Sequence, residues 1–474
     1  MREIVVDQFC GGGGVSTGYE LATGVSPDIA VNHDPDAILM HETNHPLTKH
    51  YQEDVFLVDP YEACAGRTVA LNWLSPSCCT HHSIAAGGKP KNKQLRGQAW
   101  LAVKWGATVS PRVQILENVK EFRSWGPLLK NGQPDPKRKG LTYKNFVNAL
   151  KRQGYRVETN ILKACDYGAP TSRERFFMIM RRDGRPIVWP KPTHGDPKSR
   201  EVKKGLLLPW RTAAECIDWS IECPSIFTRK KPLVEKTLRR IAKGLKRFVI
   251  ECDDPFIVPE HAAVSNLDDK SDLVVAFLSK YYGEVSPNDA RGQSLNEPLH
   301  TISTANRFAL VTSHLVKFRG DNYGTATNDP LPTISAQGTH IGEVRAMLIK
   351  YYGAGIGQSL NEPLHTIPTK DRFGLVLIKG TPYQIVDIGF RMLEPHELFL
   401  GQGFPSSYII AVDKYGRRYP KSAQVARCGN SVPPQFAKAL IRANLPELCL
   451  GSGRAFTLSK YHAVEQVGQL AMNL

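Results

Sequence analysis

The chain has 474 residues, with 61 Lys and Arg against 45 Asp and Glu, a formal charge of +16 with histidine neutral; it is 41% hydrophobic and 22% charged. These values exclude a disordered or fibrous chain and leave room for a large domain and at least one smaller one, at about 150 residues per domain. The basic excess favours a polyanionic partner, nucleic acid first, although a basic surface kept for solubility carries the same charge.

Ten scattered cysteines without a Cys-x-x-Cys pair read as reduced thiols rather than a disulfide framework. No charged-then-apolar leader opens the chain, and no apolar run reaches the roughly 20 residues of a membrane span. A soluble, cytoplasmic, monomeric protein with no membrane partner is the expectation.

From Arg2 to about Arg182, short apolar runs alternate with helical patterns: IVVDQF, VSTGYELATG, DIAVNHD, PDAILMHETNH, TVALNWL and RVQILENV. This alternation predicts βαβ units on a parallel sheet. Between about Asp183 and Gly389 the pattern breaks into Pro-rich and basic segments, among them VEKTLRRIAKGLKRFVI, which predicts an amphipathic helix with Lys and Arg on one face. Such a face either meets a polyanion or is merely solvated.

An internal repeat follows. The stretch from Phe277, FLSKYYGEVSPNDARGQSLNEPLHTIST, returns from Met347 as MLIKYYGAGIGQSLNEPLHTIPT, with a looser copy from His314 between them. Each unit reads as strand, loop, a turn at NEPL or NDPL, and strand, with polar residues at matching places, Gln293, Asn296 and His300 in the first copy and Gln358, Asn361 and His365 in the last, expected either to face base edges or only to shape the turn. After about Ile388, helical signals resume in RMLEPHELFLGQGFP and GNSVPPQFAKALIRANLPEL, where Pro433 and Pro434 suit a first helical turn. The expected organisation is a catalytic-type domain over 1–185, an insertion over 186–387 with repeats at 277–378, and a part over 388–474 that completes the first domain.

Three stretches carry chemistry. In VVDQFCGGGGVSTGYELA, a strand runs through Gly11, Gly12, Gly13 and Gly14 into a helix, a geometry that lets a ligand approach backbone; dinucleotide oxidoreductases share such a turn, so alone it does not discriminate. LSPSCCTHHS holds Cys78, Cys79, His81 and His82 in one loop. Adjacent cysteines and adjacent histidines do not readily wrap one tetrahedral ion, so no metal is expected and a nucleophile loop is the better reading. VQILENVKEF places Glu117 and Asn118 at the end of an apolar strand, where open α/β sheets bind ligands or where a carboxylate simply caps a strand.

Taken in order, these motifs resemble the C5 cytosine-specific DNA methyltransferase family of phage and bacterial type. DQFCGGGG resembles that family's methionine-side cofactor motif, Cys79 stands in its nucleophile loop, and Glu117 matches its catalytic glutamate. YGAPTSRERFFMI resembles its arginine motif at Arg173 and Arg175, and RMLEPHELFLGQGFP and GNSVPPQ resemble its last two motifs. The resemblance covers about 3–182 and 388–445. It implies a Rossmann-like S-adenosylmethionine-dependent α/β catalytic domain with an inserted, mostly β, target-recognition domain.

It further implies methyl transfer from S-adenosyl-L-methionine to C5 of a flipped-out cytosine in double-stranded DNA, through a covalent bond from Cys79 to C6. The cofactor contacts it implies are Asp7, Phe9, Gly11, Gly13, Gly14, Asn32, His33, Asp54, Asn430 and Ser431. This chain departs from the pattern at Thr80, His82 and Thr171, and has Asn32 and His33 where the family has its ribose-binding Glu and an aromatic residue. A nicotinamide oxidoreductase, a DNA-binding protein without catalysis and an RNA methyltransferase of the same family are the alternatives. The sequence leaves open the DNA site recognised and whether a restriction enzyme accompanies this protein.

Overall fold

The stretch Ile4–Gln8 forms a strand, β1, whose five residues are all buried, so it needs cover on both faces. In this computed structural model the described residues are 2–77, 93–252, 254–258, 273–281, 291–317, 347–348, 358–359, 375–378 and 381–451. By internal contacts the chain divides into two units: Met1–Cys216 with Pro298–Ala305 and Glu394–Leu474, and Ile217–Glu297 with Asn306–Leu393.

The first unit is built on a seven-stranded sheet. Its strands are β1, β2 (Ile29–Asn32), β3 (Lys49–Gln52), β4 (Val69–Leu74), β5 (Val113–Asn118), β6 (Arg156–Lys163) and β7 (Glu174–Arg181), in the order β3-β2-β1-β4-β5-β7-β6. The first five are parallel, while β7 runs antiparallel to both β5 and β6, a reversal that the βαβ pattern alone does not foresee. Alternate residues feed two cores. Ile4, Val6, Val31 and Leu116 face a cluster with Trp105, Phe122, Phe146 and Phe176. Val5, Trp73, Ile115 and Phe177 face Tyr19, Phe436 and Leu440, from the helices Gly14–Thr23 (α1) and Pro434–Asn444.

The strand order reverses between β1 and β4, which lie side by side. In open α/β sheets ligands bind in the crevice outside the carboxyl ends of strands at such a switch point. Here the glycine turn after β1 and the segment Ser75–Ser77 after β4 flank it.

The second unit holds a five-stranded antiparallel sheet in the order Gly292–Gln293, Leu273–Lys280, Phe308–Lys317, Thr381–Met392, Leu375–Ile378. One face buries Val275, Phe277, Val311, Ile388 and Phe390 against Ile241 and Leu245 of the helix Glu235–Leu245. This is the basic helix expected from sequence, and its last turn passes into a π-helical turn at Lys246–Ile250. Of the three repeat copies only the first is described at length; Asn361 and His365 of the last copy lie outside the described residues.

Candidate active site

The turn after β1 is shaped by what packs against it. Phe9 has φ 62 and Gly13 φ 80, and the Gly13 N–H donates to the Cys10 carbonyl at 2.9 Å. A left-handed aromatic residue costs about 1–2 kcal/mol, so the surrounding structure must hold it. It does: the Tyr408 hydroxyl donates to the Gly12 carbonyl at 3.0 Å, and a Cβ at Gly14 would collide with the Val432 carbonyl. The glycines therefore admit close protein neighbours as well as a ligand.

Gly13 is also the N-cap of α1 and has no side chain to satisfy the first N–H groups of that helix. Uncapped N–H groups at a helix N-terminus attract an anion such as a carboxylate. Asp7, buried beneath this turn, accepts from Ser16 Oγ at 2.7 Å through Oδ2, while its buried Oδ1 has no partner. Burial pushes the Asp7 carboxyl up to about 7, against the hydrogen bond from Ser16.

The other expected cofactor residues lie at the same edge or pack against the turn. Asn32 ends β2 and its Oδ1 accepts the Asp34 N–H at 2.9 Å, so what it offers a ribose hydroxyl is its amide donor. His33 is exposed beside it, and Asp54 follows β3, where its Oδ1 accepts the Phe56 N–H at 3.1 Å. Asn430 is exposed at the end of the helix Lys421–Asn430. Ser431 is buried and donates its hydroxyl to the Arg427 carbonyl at 2.7 Å, so it shapes the turn's wall.

Three of the catalytic candidates, Glu117, Arg173 and Arg175, meet at the carboxyl end of β5. Glu117 is 8% exposed, and Arg175 Nε lies 3.0 Å from its Oε1. The antiparallel neighbour β7 starts at Glu174, which brings the RER stretch alongside β5. Burial raises the Glu117 carboxyl above its usual range, and the charges of Arg175 and then Arg173 pull it back. Arg173 is 4% exposed and its Nη1 donates to the Ile302 carbonyl at 3.1 Å.

Next to Glu117, Asn118 donates from Nδ2 to the Pro76 carbonyl at 3.0 Å, and the Ser77 N–H donates to Gln98 Oε1 at 3.0 Å. Two buried amides thus hold the last described residues before the cysteine pair. Cys78, Cys79, Thr80, His81 and His82 lie outside the described residues. Among the described residues no group of histidine, cysteine or carboxylate side chains is arranged to hold a metal ion.

Residues 4–445 match the family model described as C-5 cytosine-specific DNA methylase. The chain belongs to that family. It is 27% identical over 203 residues to the Type II methyltransferase M.AgeI of Thalassovita gelatinovora, covering 42% of this chain and 44% of that protein. To the Type II methylase M.HgiDII of Herpetosiphon aurantiacus it is 27% identical over 210 residues, covering 42% and 52%. The chain spans about half the length of the curated relatives it matches.

The solved structure of the Entamoeba histolytica methyltransferase EhMeth aligns over 94% of this chain and 99% of its own, at TM-score 0.50 and 12% identity, a likeness of fold. As a member of that family the chain has parts that its motifs do not announce. Tyr408 braces the glycine turn from the far end of the sequence. Gln98 holds Ser77, and the Ile302 carbonyl holds Arg173. Each joins segments far apart in the chain, so no local pattern signals it.

Proposed function

We propose that the chain transfers a methyl group from S-adenosyl-L-methionine to C5 of cytosine in double-stranded DNA. The observation that carries this reading is the buried Glu117–Arg175 pair at the end of β5, with Arg173 close enough to act on the same carboxyl. It stands beside the anchored Pro76–Ser77 stub that leads into the cysteine loop.

Cytosine C5 is a weak nucleophile. Addition of the Cys79 thiolate at C6, assisted by hydrogen bonding or proton transfer from Glu117 to N3, gives C5 enamine character. A carboxyl raised by burial suits that donor role, because it keeps its proton nearer neutral pH. The arginines bind the base O2 and steady the charge that develops there. When bound, S-adenosyl-L-methionine supplies an electrophilic methyl group. After C5 takes that methyl, loss of the C5 proton and of the thiolate from C6 restores the aromatic ring.

A stacked base hides C6, so the target cytosine is flipped out of the duplex. The residues at the carboxyl edge fit the cofactor: the uncapped α1 N-terminus for its carboxylate, the Asn32 amide for a ribose hydroxyl, and the exposed His33 ring for adenine. Phe9, Gly11 and Asp54 complete the edge around it, while Asp7, Gly13, Gly14 and Ser431 build the turn that α1 starts from.

The test is tritiated methyl transfer to unmethylated duplex DNA, with bisulfite sequencing to place the product. Methylated cytosines at a fixed sequence support the reading. Absence of transfer by folded protein with duplex DNA and cofactor overturns it, and transfer to RNA alone moves the substrate class.

A further inference from the structure

Between two strands of the second unit, the segment Pro298–Ala305 folds with the first. It is the latter half of the first repeat copy, PLHTISTA. The Leu299 N–H donates to the Pro170 carbonyl at 2.9 Å and the Ser172 N–H donates to the Leu299 carbonyl at 2.8 Å, forming an isolated parallel bridge between Thr171 and Leu299. Further along, the Ile302 carbonyl accepts from Arg173 Nη1.

Two glycines record how closely this segment is seated. Leu299 and Ile302 are each 1% exposed and lie over Gly401, where a Cβ would come within 2.6 Å of Leu299 Cδ2. At Gly429 a Cβ would collide with the backbone of Ser303 and Thr304. Gly429 lies within the helix Lys421–Asn430 and has no positive φ, so close approach, not backbone conformation, is what requires glycine there.

We propose that Pro298–Ala305 is a positioning strap: its Ile302 carbonyl holds the Arg173 guanidinium with the Glu117–Arg175 pair. The carbonyl is a neutral acceptor, so it fixes the guanidinium without cancelling its charge. That charge then acts on Glu117. Unseating the strap removes the Ile302 hold and shifts Arg173, and Glu117, still buried, holds its proton more tightly. Arg173 itself stays in the sequence, so the effect is one of placement.

This inference rests on the catalytic roles proposed above for Glu117 and Arg173, and the experiment separates the two. Leu299→Ala removes the anchor, Gly429→Ala pushes the strap backbone, and Leu299→Met is the conservative rescue. Single-turnover methyl transfer is measured against pH, with KM for DNA, cofactor affinity and thermal midpoint on the same proteins.

Leu299→Ala and Gly429→Ala are expected to lower kcat by about 10-fold or more, the scale of a small misplacement of a catalytic group, with KM for DNA and cofactor affinity changed less than about threefold. The Glu117 limb of the kcat profile is expected to move to higher pH, and Leu299→Met to restore both rate and limb. A fall in kcat with an unmoved limb, or no fall at all in folded protein, overturns the strap. If Gly429→Ala does not fold, Leu299→Ala and Leu299→Met decide alone. Full activity of Glu117→Gln instead overturns the catalytic reading on which the strap depends.

Discussion

The two sheets of this protein put their polar residues to different uses. In the parallel sheet of the first unit, the central strand interiors are apolar apart from the hydrogen-bonded amides Asn72 and Gln114, and the candidate chemistry stands at the carboxyl ends: Phe9 to Gly14, Asn32, Asp54, Pro76 to Ser77 and Glu117. In the antiparallel sheet of the second unit, recurrent residues of the first repeat copy sit inside. Gln293 is 2% exposed and Leu295 is buried beside it, while Leu299 and Ile302 of the same copy are buried within the first unit. Repetition in NEPLHTI therefore reflects packing at these positions. Of the polar residues expected to face a base, only Asn296 and His300 keep exposed area. A repeated motif reports a repeated local structure, and that structure spends its fixed positions on a core before any are free for recognition.

The sharpest break of this comparison lies in the cysteine loop. Cys79→Ser is expected to abolish methyl transfer and Cys78→Ser to keep most of it. DNA with 5-fluorocytosine at the target is expected to trap the wild-type enzyme as a denaturation-stable adduct, since fluorine does not leave as a proton does. The opposite result for the two cysteines reassigns the nucleophile, and full turnover without any adduct excludes covalent addition. Next in size, Glu117→Gln is expected to slow single-turnover transfer about 100-fold or more, within the range for loss of a general acid or base.

A third effect distinguishes the units by acid sensitivity. Beneath the edge of the parallel sheet His41 is fully buried, with its Nδ1 2.7 Å from His50 Nε2 and its Nε2 2.9 Å from Ser16 Oγ. Burial, with His45 and His50 adding repulsion, holds His41 well below its ordinary range. Burial pushes His50 down to about 4, with Glu42 opposing and His45 and Lys414 reinforcing.

Both imidazoles are neutral in the folded chain and charge readily when unfolded. Their contribution is complete above about pH 6.5 and is lost as pH falls, for His50 toward about 4 and on the order of 3 kcal/mol, its side chain being 5% exposed. The thermal midpoint of the first unit is expected to drop between pH 7 and 5, and His50→Gln to flatten that dependence. An equal drop in the variant places the acid sensitivity elsewhere.

The smallest effects sharpen the picture of the second unit. Arg239 is exposed and ion-paired with Glu235, whereas Arg240 stacks over Tyr281 at 4.8 Å. Arg239→Ala is expected to weaken binding to all duplex sequences and to reduce the slope of log affinity against log salt by about one. Arg240→Ala is expected to act mainly on stability. Gln293→Ala is expected to cost about 1 kcal/mol and leave the methylated site unchanged, while a change of site assigns Gln293 to recognition after all.

Much of the first unit is legible in its sequence, because strands and helices announce themselves by period and the motifs lie at strand ends. β1, β2, β4 and β5, the helix starting at Pro434 and the Glu117 position all follow from local pattern. The reversal at β7 does not, since hydrophobic alternation is the same for parallel and antiparallel neighbours. That reversal is nevertheless what sets Arg175 against Glu117.

Sequence by itself determined the residue types of the candidate chemistry, the α/β class and the family, because those depend on order along the chain. Tertiary structure alone decided that Tyr408 braces the glycine turn, that Asn118 and Gln98 hold Pro76 and Ser77, and that a piece of the first repeat seats on Pro170 to Arg173. These are single hydrogen bonds and close approaches between distant segments. A glycine or an amide looks the same in sequence whether it faces water or a neighbouring backbone, and only the folded chain brings that neighbour within 3 Å.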